Sequence, residues 1–285
     1  MKPFLVHVHV YYQSLWQEIS DCLKNIKDYD FKLFVTLVKN DPEFEKKITD
    51  EWPTANIVLV QNRGFDVGPF ITILNNEDLN QYSYIIKLHT KRDIPSDKKN
   101  AWYAGPKWRN ALLGFLKSKE TFAKVLNSME NNPKIGMHGP NISTFNKLYD
   151  EQITYRAAKA FITEHGLKFC KFKFVAGSMF MVKADLFQKL KELKLTQDDF
   201  EAPDVSHEGC QLAHIFERLF GFVVYDQDYD IVDCEKNVMW SRISYILMNL
   251  RKIVMNTLIT VRVTRKNKLL IKILKIPVIA IPLKK

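Results

Sequence analysis

Five short segments carry residue types and spacings that could do chemistry. Asn62-Arg63-Gly64-Phe65-Asp66-Val67-Gly68-Pro69-Phe70 directly follows a predicted strand. Its glycines permit close backbone approach to a ligand, the Arg63 fork fits phosphate, and Asp66 fits a ribose hydroxyl or base edge. The same stretch also reads as a turn in which Asp66 and Pro69 start the next helix. It is neither a Walker nor a dinucleotide fingerprint. Lys87-Leu88-His89-Thr90-Lys91-Arg92-Asp93 ends another strand, where Lys87, His89 and Lys91 alternate and share a face. Such groups repel unless an anion, a diphosphate for instance, lies between them; the alternative is a solvated charge run. Trp108-Arg109 opens a long predicted helix, residues 108–129. A cation there opposes the helix dipole, so a ligand or buried carboxylate would answer Arg109; so would simple exposure beside a packed Trp. Val175-Ala176-Gly177-Ser178-Met179-Phe180 sets a Gly-Ser break inside an apolar strand, either a core bulge or backbone close to a ligand. Asp204-Val205-Ser206-His207-Glu208-Gly209 precedes a helix, and its carboxylates are either caps or a general base beside an acceptor hydroxyl.

Two patterns carry less. His7-x-His9 puts two imidazoles on one strand face, but no carboxylate is spaced with them, which disfavours a metal pair. Asp226-x-Asp228-x-Asp230 lacks the Gly and terminal Glu of a calcium loop and reads as a solvated loop.

These segments need elements to hold them. Strands are predicted over residues 4–10, 31–38, 56–60 and 82–88, with a helix over 14–26 and a short one started by Asp41-Pro42. Strand-helix alternation with apolar strands predicts a parallel sheet covered on both faces. In such sheets ligands bind beyond the carboxyl ends of the strands, which here means residues 8–12, 61–69 and 87–93. Further on, the pattern predicts strands over 134–138, 172–182 and 222–225, and helices over 155–165, 184–193 and 209–220, the last ended by Gly221.

The chain has 285 residues, with 42 Lys+Arg against 32 Asp+Glu. With 46% hydrophobic and 26% charged residues, wholesale disorder is excluded. The net charge of +10 is not spread evenly. From Trp240 to Lys285 there are 11 basic and no acidic residues, so residues 1–239 are nearly neutral, with 31 basic against 32 acidic. A neutral body without a recognition motif argues against a nucleic-acid partner. In the tail, Ile243, Ile246, Leu247, Leu250, Val254, Leu258 and Val261 recur at helical spacing, and Leu269, Leu270, Ile273 and Leu274 repeat the pattern beside lysines. This predicts one or two amphipathic helices lying on an anionic membrane, with an oligomerisation helix as the alternative. No stretch reaches the about 18 uncharged apolar residues of a membrane span, and the start does not resemble a signal peptide. The expected location is cytoplasmic, on the inner face of the cell membrane. Cys22, Cys170, Cys210 and Cys234 are widely spaced, which predicts free thiols rather than disulfides or a zinc site.

Taken in order, these pieces resemble the rhamnan-synthesis F family of bacterial polysaccharide glycosyltransferases. The matching segments are His7-Val8-His9-Val10-Tyr11-Tyr12, Phe34-Val35-Thr36-Leu37, the asparagine-to-proline segment at 62–69 with Phe70, and Lys87-Leu88-His89-Thr90-Lys91-Arg92. They continue with Trp108-Arg109, Ala176-Gly177-Ser178-Met179-Phe180, Glu208-Gly209 and Glu217-Arg218-Leu219-Phe220-Gly221, covering about residues 4–225. The resemblance implies a GT-A-like, Rossmann-type α/β fold: a mixed, mainly parallel sheet flanked by helices, over residues 1–239. The basic tail, 240–285, lies outside it.

The resemblance further implies an inverting transfer from a nucleoside-diphosphate sugar to a growing, lipid-linked glycan. Glu208 is then the general base, with Asp204 second. His9, Tyr11, Asn62 and Asp66 would hold the nucleoside, and Arg63, Lys87, His89, Lys91 and Arg92 the diphosphate. Trp108, Arg109, Gly177 and Ser178 complete the expected donor site. GT-A enzymes carry an Asp-x-Asp metal motif after the fourth strand, where this chain has His89-Thr90-Lys91-Arg92. Transfer without a metal is therefore expected, no other cofactor is implied, and magnesium or manganese stays open. A further departure is Glu208 where the family would more often have Asp. Competing readings are a sugar-phosphate transferase of capsule synthesis and a non-catalytic scaffold of a polysaccharide complex.

Overall fold

Apolar, β-branched runs make the first four strands: β1 (Phe4–Val10), β2 (Phe31–Leu37), β3 (Asn56–Leu59) and β4 (Tyr84–His89). The computed structural model describes residues 1–93, 107–140, 142–145, 152–203 and 211–233, and the backbone of three strands within 259–282. The chain divides into two compact units, Met1–Glu235 and Lys236–Lys285.

Between the strands lie α1 (Trp16–Leu23), α2 (Pro42–Glu51) and α3 (Val67–Asn76). α2 starts as its sequence demands: the Asp41 side chain accepts from the Phe44 amide and Pro42 occupies the first turn. Next come α4 (Lys107–Leu112), α5 (Lys119–Asn131), β5 (Ile135–His138), β6 (Ile142–Thr144) and α6 (Gln152–Glu164). β7 (Lys173–Val175), β8 (Phe180–Lys183), α7 (Gln188–Glu192), α8 (Leu212–Tyr225) and β9 (Asp230–Val232) complete the first unit.

Seven strands form one sheet in the order β3-β2-β1-β4-β8-β5-β9. β1 to β4 are mutually parallel, β8 runs against both β4 and β5, and β9 is parallel to β5. This is the expected mixed, mainly parallel α/β sheet. Strand alternation sorts the side chains into two cores. Val6, Val8, Val10, Leu33 and Val35 pack with Trp16 and Leu23 on one face. Leu5, Phe34 and Ile85 pack with Phe70 of α3 and Phe216 and Phe220 of α8 on the other. Toward the carboxyl ends, this second face turns polar: His7, His9, Thr36, Lys87 and His89 are all buried there. The register sets His7 beside Lys87 and His9 beside His89.

Several predicted elements are corrected. The expected helix over 108–129 is two helices, because the chain turns at Gly114–Leu116 and Ser118 caps a new start, accepting from the Thr121 amide. The expected strand over 172–182 is two strands in different sheets: β7 pairs with β6, and β8 joins the main sheet. Gly221 does not end its helix. α8 runs on to Tyr225, so residues 222–225 are helix and the late strand is β9. Gly221 is there for close approach, since a Cβ would lie 2.2 Å from the Lys173 carbonyl oxygen. Residues 184–193 split into a 3-10 segment, Ala184–Phe187, and α7.

In the second unit, β10 (Ile259–Val263), β11 (Lys268–Ile273) and β12 (Ile276–Pro282) form an antiparallel sheet. The helical reading at Val261 and over residues 269–273 is thereby corrected; the Ile, Val and Thr of β10 and the isoleucines of β11 favour strand over the helix that the apolar spacing suggested. The rest of that expectation, up to residue 258 and at Leu274, lies outside the described residues. Among the described residues, no helix is long and apolar enough to cross a membrane. Cys22 and Cys170 are free; Cys210 and Cys234 lie outside the described residues.

Candidate functional site

The strand order reverses its direction of growth between β1 and β4, and a cleft of about 730 Å³ opens at the carboxyl ends of these strands. This is where an open α/β sheet offers a ligand site. Tyr11 and Tyr12 follow β1, and Lys39, Asn40 and Asp41 follow β2. Asn62 follows β3, Arg92 and Asp93 follow β4, and Arg109 stands on α4.

Backbone geometry at the cleft floor depends on Thr90. Its Oγ1 accepts from the amides of both Tyr11 and Tyr12 at 2.9 Å, and its own amide donates to the His9 carbonyl. The ends of β1 and β4 are therefore stitched together under the cleft. The Arg92 guanidinium lies over the Tyr12 ring, 4.4 Å from its centroid. Arg109 Nε donates to Glu18 Oε2 at 2.7 Å, and its Nη1 pairs with Asp93. These carboxylates answer the cation that the sequence placed against a helix dipole. Asp41 Oδ2 accepts from Gln13 Nε2 at 3.0 Å. The Phe44 amide and this Gln13 contact hold the Asp41 carboxyl below its ordinary value, so it presents a hydrogen-bond acceptor.

Behind the floor, on the α3 and α8 face, lies a buried polar network. Lys87 Nζ pairs with Asp66 Oδ2, and donates to the Ser178 carbonyl at 3.1 Å. Ser178 Oγ donates to the same Asp66 oxygen at 2.6 Å. Phe70 and Phe220 place ring faces 5.5 and 5.8 Å from the Lys87 ammonium. Burial alone would raise the Asp66 carboxyl, but His89 and Lys87 hold it well below its ordinary value. Burial lowers the Lys87 ammonium, against the pull of Asp66. His89 Nε2–H donates to the Gly177 carbonyl at 2.9 Å, which fixes its tautomer because a carbonyl only accepts. Burial lowers His89 to about 4 and His9 to about 3, so both are neutral imidazoles near pH 7. His7 Nε2 and His9 Nδ1 share the Thr36 hydroxyl at 2.9 and 3.0 Å. Among the described residues no group of three or more metal-ligating side chains comes together.

The sequence-predicted residues thus fall into separate places. Tyr11, Asn62, Arg92 and Arg109 line the cleft together. Asp66, Lys87, His89, Gly177 and Ser178 meet in the network behind it, with His9 close by. The expectation of an open anion clamp at Lys87 and His89 is corrected: the anion between them is the chain's own Asp66, and His89 carries no charge near neutral pH. Asp66 does not cap α3 with its side chain. Arg63 is turned to the carbonyls of Phe200 and Asp198, at 2.6 and 3.0 Å, rather than to the cleft. Trp108 is buried in the core beside α5. Lys91 is half-buried. Glu208 and Asp204 lie outside the described residues. In the aspartate run, Asp226 pairs with Lys189, and Asp230 with Lys173 and Tyr225.

Sequence reasoning reached Tyr12 only as part of a ligand edge, and missed Gln13 and Asp41 as cleft residues, and Glu217, whose Oε1 accepts from the Gly177 amide at 2.6 Å. Asp41 was visible only as a helix start. The rule that ligands sit at strand ends was the signal for it, applied to β2.

The fold and site define an α/β protein with a mixed, mainly parallel sheet flanked by helices and a polar cleft at its switch point. The chain belongs to the rhamnan synthesis protein F family (RgpF), whose model matches residues 2–229. Two curated relatives, from two strains of Xanthomonas campestris pv. campestris, bear the description "Uncharacterized protein WxcX". Each is 23% identical over 241 residues, covering 82% of this chain and 33% of the relative. The chain thus spans about a third of the length of these relatives.

Proposed function

We propose that this protein is a glycosyltransferase of bacterial surface-polysaccharide synthesis, using a nucleoside-diphosphate sugar and inverting the anomeric centre. The observation that carries this reading is the two-ended cleft. Asn40, Asp41 and Asn62 give one end hydrogen-bonding groups suited to a nucleoside, and Arg92 and Arg109 give the other cations suited to a diphosphate. Family membership supports a role in rhamnan synthesis, and rhamnose or a related sugar, furanoses included, is the expected cargo.

In this mechanism an acceptor hydroxyl attacks the anomeric carbon as its proton passes to Glu208, with Asp204 as second choice. The sugar–phosphate bond breaks, and the departing diphosphate takes the electron pair beside Arg92 and Arg109. Among the described residues, those ending and following β4 do not suit a hard divalent cation. Thr90 Oγ1 already accepts two amides, His89 Nε2–H is spent on a carbonyl, and Asp93 pairs with Arg109. Transfer is accordingly assigned to side-chain cations, and EDTA is expected to leave activity intact; loss of activity restored by manganese would reject this. The basic tail is assigned to an anionic membrane surface carrying a lipid-linked acceptor. Flotation with anionic liposomes should require residues 240–285, and equal binding without them would reject the assignment. The decisive variant is Glu208→Gln, expected to keep donor binding and lose about 100-fold or more in turnover. Wild-type turnover would remove Glu208 from the mechanism.

A further inference from the structure

Lys87-Leu88-His89-Thr90-Lys91-Arg92 reads in sequence as one cationic motif, but its members face different ways. Arg92 stands in the cleft and Thr90 under its floor, whereas Lys87 and His89 point into the protein. What Lys87 and His89 hold is a turn of unusual geometry. Gly177 and Ser178 both take left-handed conformations, φ 93° and 49°. For serine this backbone is unfavourable and persists only where its surroundings enforce it. Every polar group of the two residues is tied. The Gly177 amide donates to Glu217 and its carbonyl accepts from His89. The Ser178 amide donates to the Val175 carbonyl, its own carbonyl accepts from Lys87, and Oγ donates to Asp66.

The turn touches both walls of the cleft. On one side Asp66 ends the loop that begins at Asn62, a loop with its own left-handed pair, Gly64 at φ 69° and Phe65 at φ 51°. On the other side Gly177 lies flush against α4: a Cβ there would sit 2.7 Å from Leu112 Cδ2 and 3.4 Å from Trp108. α4 carries Arg109. We propose that Lys87, Asp66 and Ser178 form a positioning device that fixes the Asn62 wall and the Arg109 wall of the cleft relative to each other. They act through the Gly177-Ser178 turn, and none of the three contacts the ligand. Ser178 is not a nucleophile activated by Lys87: its hydroxyl proton is committed to Asp66, and it does not line the cleft. That the cleft holds a nucleotide sugar is the reading proposed above; the positioning role concerns its walls alone.

Amide hydrogen exchange on the full chain without ligand tests this. The segments to follow are residues 62–68, 107–114 and 174–180, with β2 and α5 as internal references. Lys87→Met strands a carboxylate beside a buried methyl group. Exchange should rise by about 100-fold or more in all three segments together, beyond any change in the references. The double variant Lys87→Met/Asp66→Asn removes both charges. It should recover the melting temperature while all three segments stay faster than wild type. Ser178→Gly leaves no charge unpaired and suits the backbone, so it folds if Lys87→Met does not; it should still speed 62–68 and 107–114 by about tenfold. Two results overturn the proposal: acceleration confined to the mutated segment, or protection that follows the melting temperature everywhere. Both readouts stand whether or not UDP or dTDP binds the cleft in a parallel calorimetric titration. Failure of all nucleotides to bind would sink the proposed function and leave the wall coupling to be judged on exchange.

Discussion

Burial has silenced the histidines that the sequence displays most openly. His9 is lowered to about 3, and His89 and His138 to about 4. Their folded values lie below the value of about 6.5 expected in an unfolded chain. The unfolded state therefore binds protons that the folded state refuses, and stability falls as pH drops from about 6.5 toward 4. Each such histidine contributes a slope of about 1.4 kcal/mol per pH unit in that window. Asp66 adds a later loss. Its carboxyl is held below its ordinary value, so its contribution is complete above about 4 and disappears as pH falls through the folded value. Urea midpoints at pH 7.5, 6.5, 5.5 and 4.5 should be level between about 7.5 and 6.5 and then decline steeply. A flat profile down to pH 4.5 would contradict the neutral, buried imidazoles. At this scale the sequence revealed the residue types and their strand-end position but not their partners. Lys87, His89 and an anion were legible as a set; that the anion is Asp66, 21 residues away in sequence, depends on how α3 packs on the sheet.

Elements were legible where local pattern and tertiary need agree. β1 to β4 and α2 sit where β-branched runs and the Asp41-Pro42 start place them. Two of the misreadings share one cause: glycine speaks of freedom or of closeness, and sequence alone does not say which. Gly221 was read as a helix stop, yet α8 passes through it because the helix lies against β7, where any side chain would meet the Lys173 carbonyl and Phe174. Gly221→Ala thus sets a helix-propensity gain of up to about 1 kcal/mol against a backbone clash. The clash wins, since the neighbours are main chain, and we expect a net loss of about 1–3 kcal/mol in thermal unfolding. A raised melting temperature would show that β7 and α8 can part at no cost. Similarly, Gly177-Ser178 was read as a break within one strand. It is the turn that transfers the chain from β7 to β8, between two sheets.

For the whole molecule, strand order and cleft position carry the argument from fold to function. The sequence could foretell a parallel sheet and its ligand edge, and it held the family resemblance now matched over residues 2–229. It could not foretell that half of its cationic motif turns inward, because facing is a property of the packed sheet. The cleft keeps only part of the predicted donor set, with Arg92 stacked on Tyr12 and Arg109 held by Glu18 and Asp93. The account therefore predicts a division of labour. Loss of Arg92 should weaken nucleotide binding with little change in stability, whereas loss of Lys87 should loosen the cleft walls. The most direct measurement is calorimetric titration of the full chain with UDP, dTDP and GDP, repeated on Arg92→Ala. The account predicts that one of them binds at a single site per chain, and that Arg92→Ala weakens it about tenfold or more. No binding by any of the three, or equal binding by wild type and Arg92→Ala, would contradict it.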